Sequence, residues 1–222
     1  MAKLKLTAVE KIVLTGCSLI IAAGFFLFYT DLPRFERYVQ EDGIVEWLTV
    51  AGLIAGSFVC FFRLIRLWNK KSKWFLFVAF CLGLFLFFAA GEEISWGQRI
   101  LGLKTPEYFE THNAQQETNL HNLIVDGVKL NKLVFSILLV AALGIYLLIV
   151  PIAWQKSYAI KKFLDSSGVP IPRLYQVIGF ALVFILTSLI RNGKNAELLE
   201  CCGALLFFLI MAYPKNKEIF RR

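Results

Sequence analysis

The chain has 222 residues, of which 58% are hydrophobic, 21 are Phe and only 18% are charged. A soluble domain carries about 25% charged and about 45–50% apolar residues, so an ordinary soluble domain is excluded. The net charge of +8 does not point to nucleic acid, because it is sorted along the chain in the way a lipid bilayer requires.

Six apolar runs follow one another: about Ile12–Thr30, Ile44–Ile65, Trp74–Ser95, Leu133–Trp154, Leu174–Ile190 and Ala196–Tyr213. Their lengths suit a hydrocarbon core of roughly 30 Å, and they are too continuous for barrel strands. They predict an all-α polytopic membrane helix bundle of about six transmembrane helices, a single integral membrane domain over residues 1–222. The first run is too long for a signal-peptide core, and no small-x-small cleavage site follows it. The last two are separated only by Arg191–Asn195 and read as a helical hairpin. Cys17, Cys60, Cys81, Cys201 and Cys202 all fall in apolar runs without a CxxC pair, which suits buried thiols rather than a disulfide or zinc framework.

With the N-terminus inside, 16 of the 24 Lys and Arg fall on inner segments, whereas of the 16 acidic residues only Glu10, Asp165 and Glu218 do. The positive-inside bias places both termini in the cytoplasm. The outer face is therefore acidic, and the inner charge suits anionic headgroups.

The loop between the third and fourth spans, about 91–132, is too long for a plain connector. It opens with Gly91-Glu92-Glu93-Ile94-Ser95-Trp96-Gly97-Gln98-Arg99. Counted from Trp74, Glu92 lies roughly 27 Å along a helix, at the outer edge of the hydrocarbon. Carboxylates there are costly unless paired, protonated, hydrated or bound to a cation. If the helix continues, Glu92, Ser95, Trp96 and Arg99 form one stripe and Glu93 faces a neighbouring sector. One Glu is then a ligand or general base, and the other pairs with Arg99 or Arg191. The alternative is two interfacial carboxylates that merely hold helix ends.

Thr105-Pro106-Glu107 is a helix start with Thr105 as N-cap, predicting a short interfacial helix with Tyr108 and Phe109. The amide-rich stretch from His112 to Asn122 follows, holding Asn113, Gln115, Glu117, Asn119, His121 and Asn122. A second helix is expected to begin in it and run through Leu123, Ile124 and Val128, carrying Asp126. On that helix Glu117 and His121, four apart, share a face. Such a pair can hold a divalent metal ion or transfer protons. It can equally be an amide-rich cap over exposed backbone. Two further segments end at the same face: Glu41, Asp42 and Glu46 before and within the second span, and Arg191 to Glu200 at the last outer turn. Glu197 and Glu200 share a face there.

Residues 91–123, with Glu92-Glu93-Ile94-Ser95-Trp96-Gly97-Gln98-Arg99 and Asn113-x-Gln115-x-Glu117-Thr118-Asn119-Leu120-His121-Asn122, resemble a family of bacterial multi-pass membrane proteins. The resemblance implies a bacterial cytoplasmic (inner) membrane and joint action of those residues, and it supplies no reaction. Two His exclude a three-His zinc site of the alkaline ceramidase type. No GxSxG, HExxH, P-loop or dinucleotide fingerprint is present.

Three functions remain open. The first is an enzyme acting on a lipid or lipid-linked glycan. Its catalytic residues are Glu92, Glu93, Glu117 and His121. Its candidate cofactor is a divalent metal ion held by Glu93, Glu117 and His121. Its substrate is bound by Trp96, Gln98, Arg99, Asn113, Gln115, Asn119, Asn122 and Arg191, beside Glu46 and Glu200. The second is a non-enzymatic membrane subunit that binds a lipid or protein partner. The third is a transporter, disfavoured because the centres of the runs hold almost no ionisable residues.

Overall fold

The computed structural model describes residues 5–125, 127–129 and 138–221. Among the described residues, five helices are long and apolar enough to cross a membrane, and they make this a multi-pass membrane protein: α1 (Ala8–Thr30), α3 (Ile44–Leu67), α4 (Lys73–Glu93), the run Leu139–Lys156 and α11 (Asn195–Ala212). The run Leu139–Lys156 comprises α7 (Leu139–Gly144), a π turn (Ile145–Ile149) and α8 (Val150–Lys156). The fifth apolar run forms α10 (Leu174–Leu189), a shorter helix of 16 residues. The expected beginning of the fourth run, before residue 138, lies outside the described residues, as does Asp126.

Local chemistry sets the helix ends. Thr7 and Glu10 form a reciprocal capping box at α1, which satisfies two orphan N–H groups. Ser72 caps α4. The π turn ends two residues before Pro151, which has no N–H for the α-helical ladder and forces a local change of register.

Helix α3 packs against both α4 and α11, and α1 and α10 pack on α11. Close approach is possible because the contact positions are small. A Cβ on Gly52 would lie 3.0 Å from the Ala204 carbonyl carbon and the Leu205 nitrogen, so the α3 and α11 backbones all but touch there, the packing that small residues permit in membranes. Ser57 on α3 donates to the Gly83 carbonyl of α4 at 2.8 Å.

Residues 31–43 are more than a surface connector. Helix α2 (Leu32–Tyr38) folds back along α1. It buries Phe35, with Val39 buried just beyond its end, and carries Tyr38 to donate to the Ile20 carbonyl at 3.3 Å. Burial, with the Cys201 and Cys202 thiols nearby, pushes the Tyr38 phenol up to about 12, so it remains a neutral donor. This fold-back delivers Glu41, Asp42 and Glu46 to the end of the bundle where α4 finishes.

The opposite end is knitted by side chains. Buried Glu10 accepts from Arg173 at 3.1 Å and from Tyr175. Buried Asn216 accepts from the Ile171 N–H at 3.0 Å and donates to Asp165 at 2.8 Å. Helix α9 (Tyr158–Ser166) exposes Tyr158, Ile160 and Phe163 among lysines, the pattern of a helix lying in a membrane interface.

Candidate functional site

The sequence-expected continuation of the third span past Glu93 does not occur. Helix α4 ends there because Ser95, Trp96 and Gly97 take φ of +46, +55 and +77°, left-handed values that cost a non-glycine residue energy. A short helix, α5 (Gln98–Leu101), then starts in a new direction. Trp96 turns back, its indole over Gly91, and donates to Glu92 Oε1 at 2.8 Å. Trp96 also meets Phe88 edge-on, with ring centroids 5.4 Å apart.

The new direction sends Arg99 into a ring of acids. Its guanidinium lies 2.7 Å from Glu46, 2.8 Å from Glu117, 3.1 Å from Asp42 and 3.5 Å from Glu41. Burial pulls the Arg99 pKa down, but the Glu117 hydrogen bond and the charges of Glu117, Glu46 and Asp42 outweigh it and hold it above its ordinary value. Arg99 is thus committed to carboxylates, and the expected role of binding substrate does not fit it. Arg191 is exposed and makes no ion pair among the described residues.

The predicted second loop helix is also absent. Helix α6 (Glu107–His112) forms, but Thr105 does not cap it. Instead Thr105 accepts from Gln98 and donates to the Gln116 carbonyl at 2.8 Å. Beyond α6 the chain is a compact loop closed by a bridge between Asn113 and Leu123, and it continues into a two-residue ladder of β1 (Ile124–Val125) and β2 (Val128–Lys129). The amides explain the difference, because they offer the backbone partners that compete with a helix. Asn113 Oδ1 accepts from the Gln115 and Glu117 N–H groups at 2.9 and 3.3 Å, and its Nδ2 donates to the Asn119 carbonyl at 2.9 Å. Asn119, 2% exposed, donates to Ser95 at 2.9 Å and accepts from the Asn122 N–H at 3.2 Å. Gln98 Oε1 accepts from the Thr118 N–H at 2.6 Å. Gln115 bridges Glu41 and Asn122. Ser95, which composition alone did not single out, bonds Glu117; its position three residues after Glu92 was the available signal.

Glu117 and His121 therefore do not share a helix face. Glu117 is held by Arg99, Ser95 and Asn119. No group of three or more His, Cys, Asp and Glu side chains among the described residues is arranged to hold a metal ion. The expected ligand set of Glu93, Glu117 and His121 does not assemble.

What does assemble is a Glu92–His121 pair. Glu92, 3% exposed, accepts the backbone N–H groups of Leu120 and His121 at 2.6 and 3.0 Å as well as the Trp96 indole. Its Oε2 lies 3.6 Å from His121 Nδ1. Asn122 Nδ2 lies 3.0 Å from His121 Nε2. An amide N–H₂ only donates, so Nε2 accepts and the ring proton sits on Nδ1, facing Glu92. Glu93, next in sequence, lies within electrostatic range of His121, Glu46 and Glu92. Glu197 lies within electrostatic range of Glu93, Glu46 and His121, and Glu200 within that of Glu93 and Glu197. Helices α3, α4 and α11 and the loop thus bring carboxylates and one imidazole to the same end of the bundle.

Comparison of the chain with protein-family models, with curated proteins and with solved structures returns no match.

Proposed function

We propose that this is an enzyme of a bacterial cytoplasmic membrane, with six spans and both termini inside, that performs proton transfer on a lipid or lipid-linked glycan at the outer leaflet. His121 is its acid–base group, Glu92 orients His121, and Glu93 is the second proton-transferring residue. The observation that carries the reading is the Glu92–His121 geometry. A buried carboxylate already holding three donors faces the protonated ring nitrogen of a half-buried imidazole, the arrangement by which a base is fixed in one tautomer. Separations of 3.6 Å are common before substrate binds and tighten in the complex.

The other motif residues serve this pair rather than the substrate. Arg99, Glu117, Asn113, Asn119, Gln98 and Ser95 hold one another and fix the loop that bears His121. Glu93, Glu197 and Glu200 make the surroundings acidic, and carboxylates in unlike environments are the usual means by which one site supplies both an acid and a base. The test compares the lipid and glycan profiles of cells producing the wild type, His121→Gln or Glu93→Gln at equal protein level. Loss of a lipid or glycan species in both variants supports the reading, and profiles identical to wild type overturn it.

A second reading rests on a different observation. Trp96, Ile100, Leu101 and Leu103 are all exposed beside the site, a patch suited to a membrane-protein partner. Stable co-purification of one protein that is lost in Leu101→Ser would favour that reading.

A further inference from the structure

At the end of the bundle remote from His121, a cavity of about 230 Å³ opens between α3, the end of α11 and the short 3₁₀ helix Lys217–Phe220. Its lining includes Phe58, Phe62, Arg63, Arg66, Lys217 and Phe220. Three of the eight lining residues are cationic, and no ion pair to a carboxylate engages any of the three among the described residues. Arg63 and Arg66 each donate one bond to a backbone carbonyl, Ala212 and Phe220 respectively, both at 3.2 Å. These bonds leave most of each guanidinium unused, and Arg66 Nε is buried without any hydrogen-bond partner. An orphaned buried donor on a charged group is costly and marks a place where an acceptor belongs.

We propose that this cavity binds a phosphate group, as the headgroup of an anionic phospholipid or as free phosphate. Arg63 and Arg66 are three apart on the last turns of α3 and so lie on one face. Two planar guanidinium forks and an ammonium around one small cavity match the several acceptor oxygens of a phosphate. The apolar wall favours the lipid as its source. Phe58 and Phe62 are stacked, with centroids 6.2 Å apart, and stand exposed at 67% and 51%. They form a strip along the membrane-facing side of α3 on which an acyl chain would lie. Arg63 stacks over Phe220 at 3.9 Å, which fixes one fork in place. The competing account is that the two arginines only cap carbonyls at the ends of α11 and the 3₁₀ helix.

Purified full-length protein in neutral detergent is titrated with phosphatidylglycerol, with phosphatidylcholine and with inorganic phosphate, reading the thermal midpoint and native mass spectra. The expected result is a rise in midpoint and a retained lipid with phosphatidylglycerol, and an apparent affinity about tenfold weaker in Arg66→Gln and in Lys217→Gln. Lys217 is exposed and its side chain bonds nothing among the described residues, so its variant is expected to fold and keeps the test valid if Arg66→Gln does not. A response to inorganic phosphate alone assigns the site to the free ion and supports the phosphate chemistry. An equal response to phosphatidylcholine and phosphatidylglycerol, an undiminished response in Lys217→Gln, or no response to any of the three ligands overturns the proposal.

Discussion

Trp96 lies flat against Gly91: a Cβ added to Gly91 would sit 2.8 Å from the indole Cε3 and Cζ3 atoms. The glycine is what allows α4 to end in a left-handed turn with its tryptophan folded back onto the helix. From that turn follow the direction of Arg99 and the depth at which the loop meets Glu92.

Gly91→Ala should therefore push the indole outward and loosen the whole loop. Overpacking of this kind costs about 1–3 kcal/mol. Thermal unfolding in detergent should show a lower midpoint, and proteolysis should nick the loop at lower protease concentration. Unchanged values would mean that the indole can shift without consequence.

Arg99 is the sole cation recorded within 4 Å of Glu46 and Glu117 among the described residues, and both acids are largely shielded. Removing the shared partner of a shielded pair costs about 3–5 kcal/mol. Arg99→Ala should accumulate poorly in membranes. Arg99→Lys should rescue only in part, since one ammonium cannot reach the acids that a planar fork spans. Adding Glu46→Gln to Arg99→Ala should recover some of the loss, which a double-mutant cycle would measure.

The same network makes a statement about pH. The folded pKa of Arg99 is held above its ordinary value by the carboxylates around it. Its contribution to stability is fully present below the unfolded value and is lost only as pH rises through the folded one. Between pH 7 and about 11, no unfolding on account of Arg99 is expected. Tryptophan fluorescence of the wild type should show no unfolding transition across that range, and one that disappears when Arg99 is replaced would contradict this.

Asn119 joins Ser95, Asn113, Glu117 and the Asn122 N–H. Asn119→Ala leaves several buried groups unpaired, each costing about 1–3 kcal/mol. Asn119→Asp should be worse, because it sets a carboxylate against Glu117. Thermal midpoints in the order wild type, Asn119→Ala, Asn119→Asp, from highest to lowest, would bear this out, and the reverse order of the two variants would contradict it.

Glu93→Gln and Glu92→Gln should separate two roles. Glu92 holds backbone N–H groups of the loop, so Glu92→Gln should lower stability and disturb His121. Glu93, which no such framework bond engages among the described residues, should tolerate Gln with a midpoint close to wild type. Equal destabilisation by both would make Glu93 a framework residue.

Composition, run length and the sorting of lysines against acids determined from the sequence that this is a multi-pass helical membrane protein, and they drew attention to residues 91–123. These are additive, local properties, legible without partners. Helical periodicity also paired Glu117 with His121 and strung Ser95, Trp96 and Arg99 along one stripe. Only the tertiary structure undid those pairings. The left-handed turn at Ser95–Gly97 depends on the space beside Gly91, and the amides of Asn113 and Asn119 bind backbone that a helix would have used. The partners of Arg99 come from the fold-back of α2 as well as from the loop, and the cationic cavity at the other end joins α3 to residues about 150 positions later. Contacts of that sequence separation leave no period in the chain, because each is set by the packing of α3 against its neighbours rather than by spacing along one element.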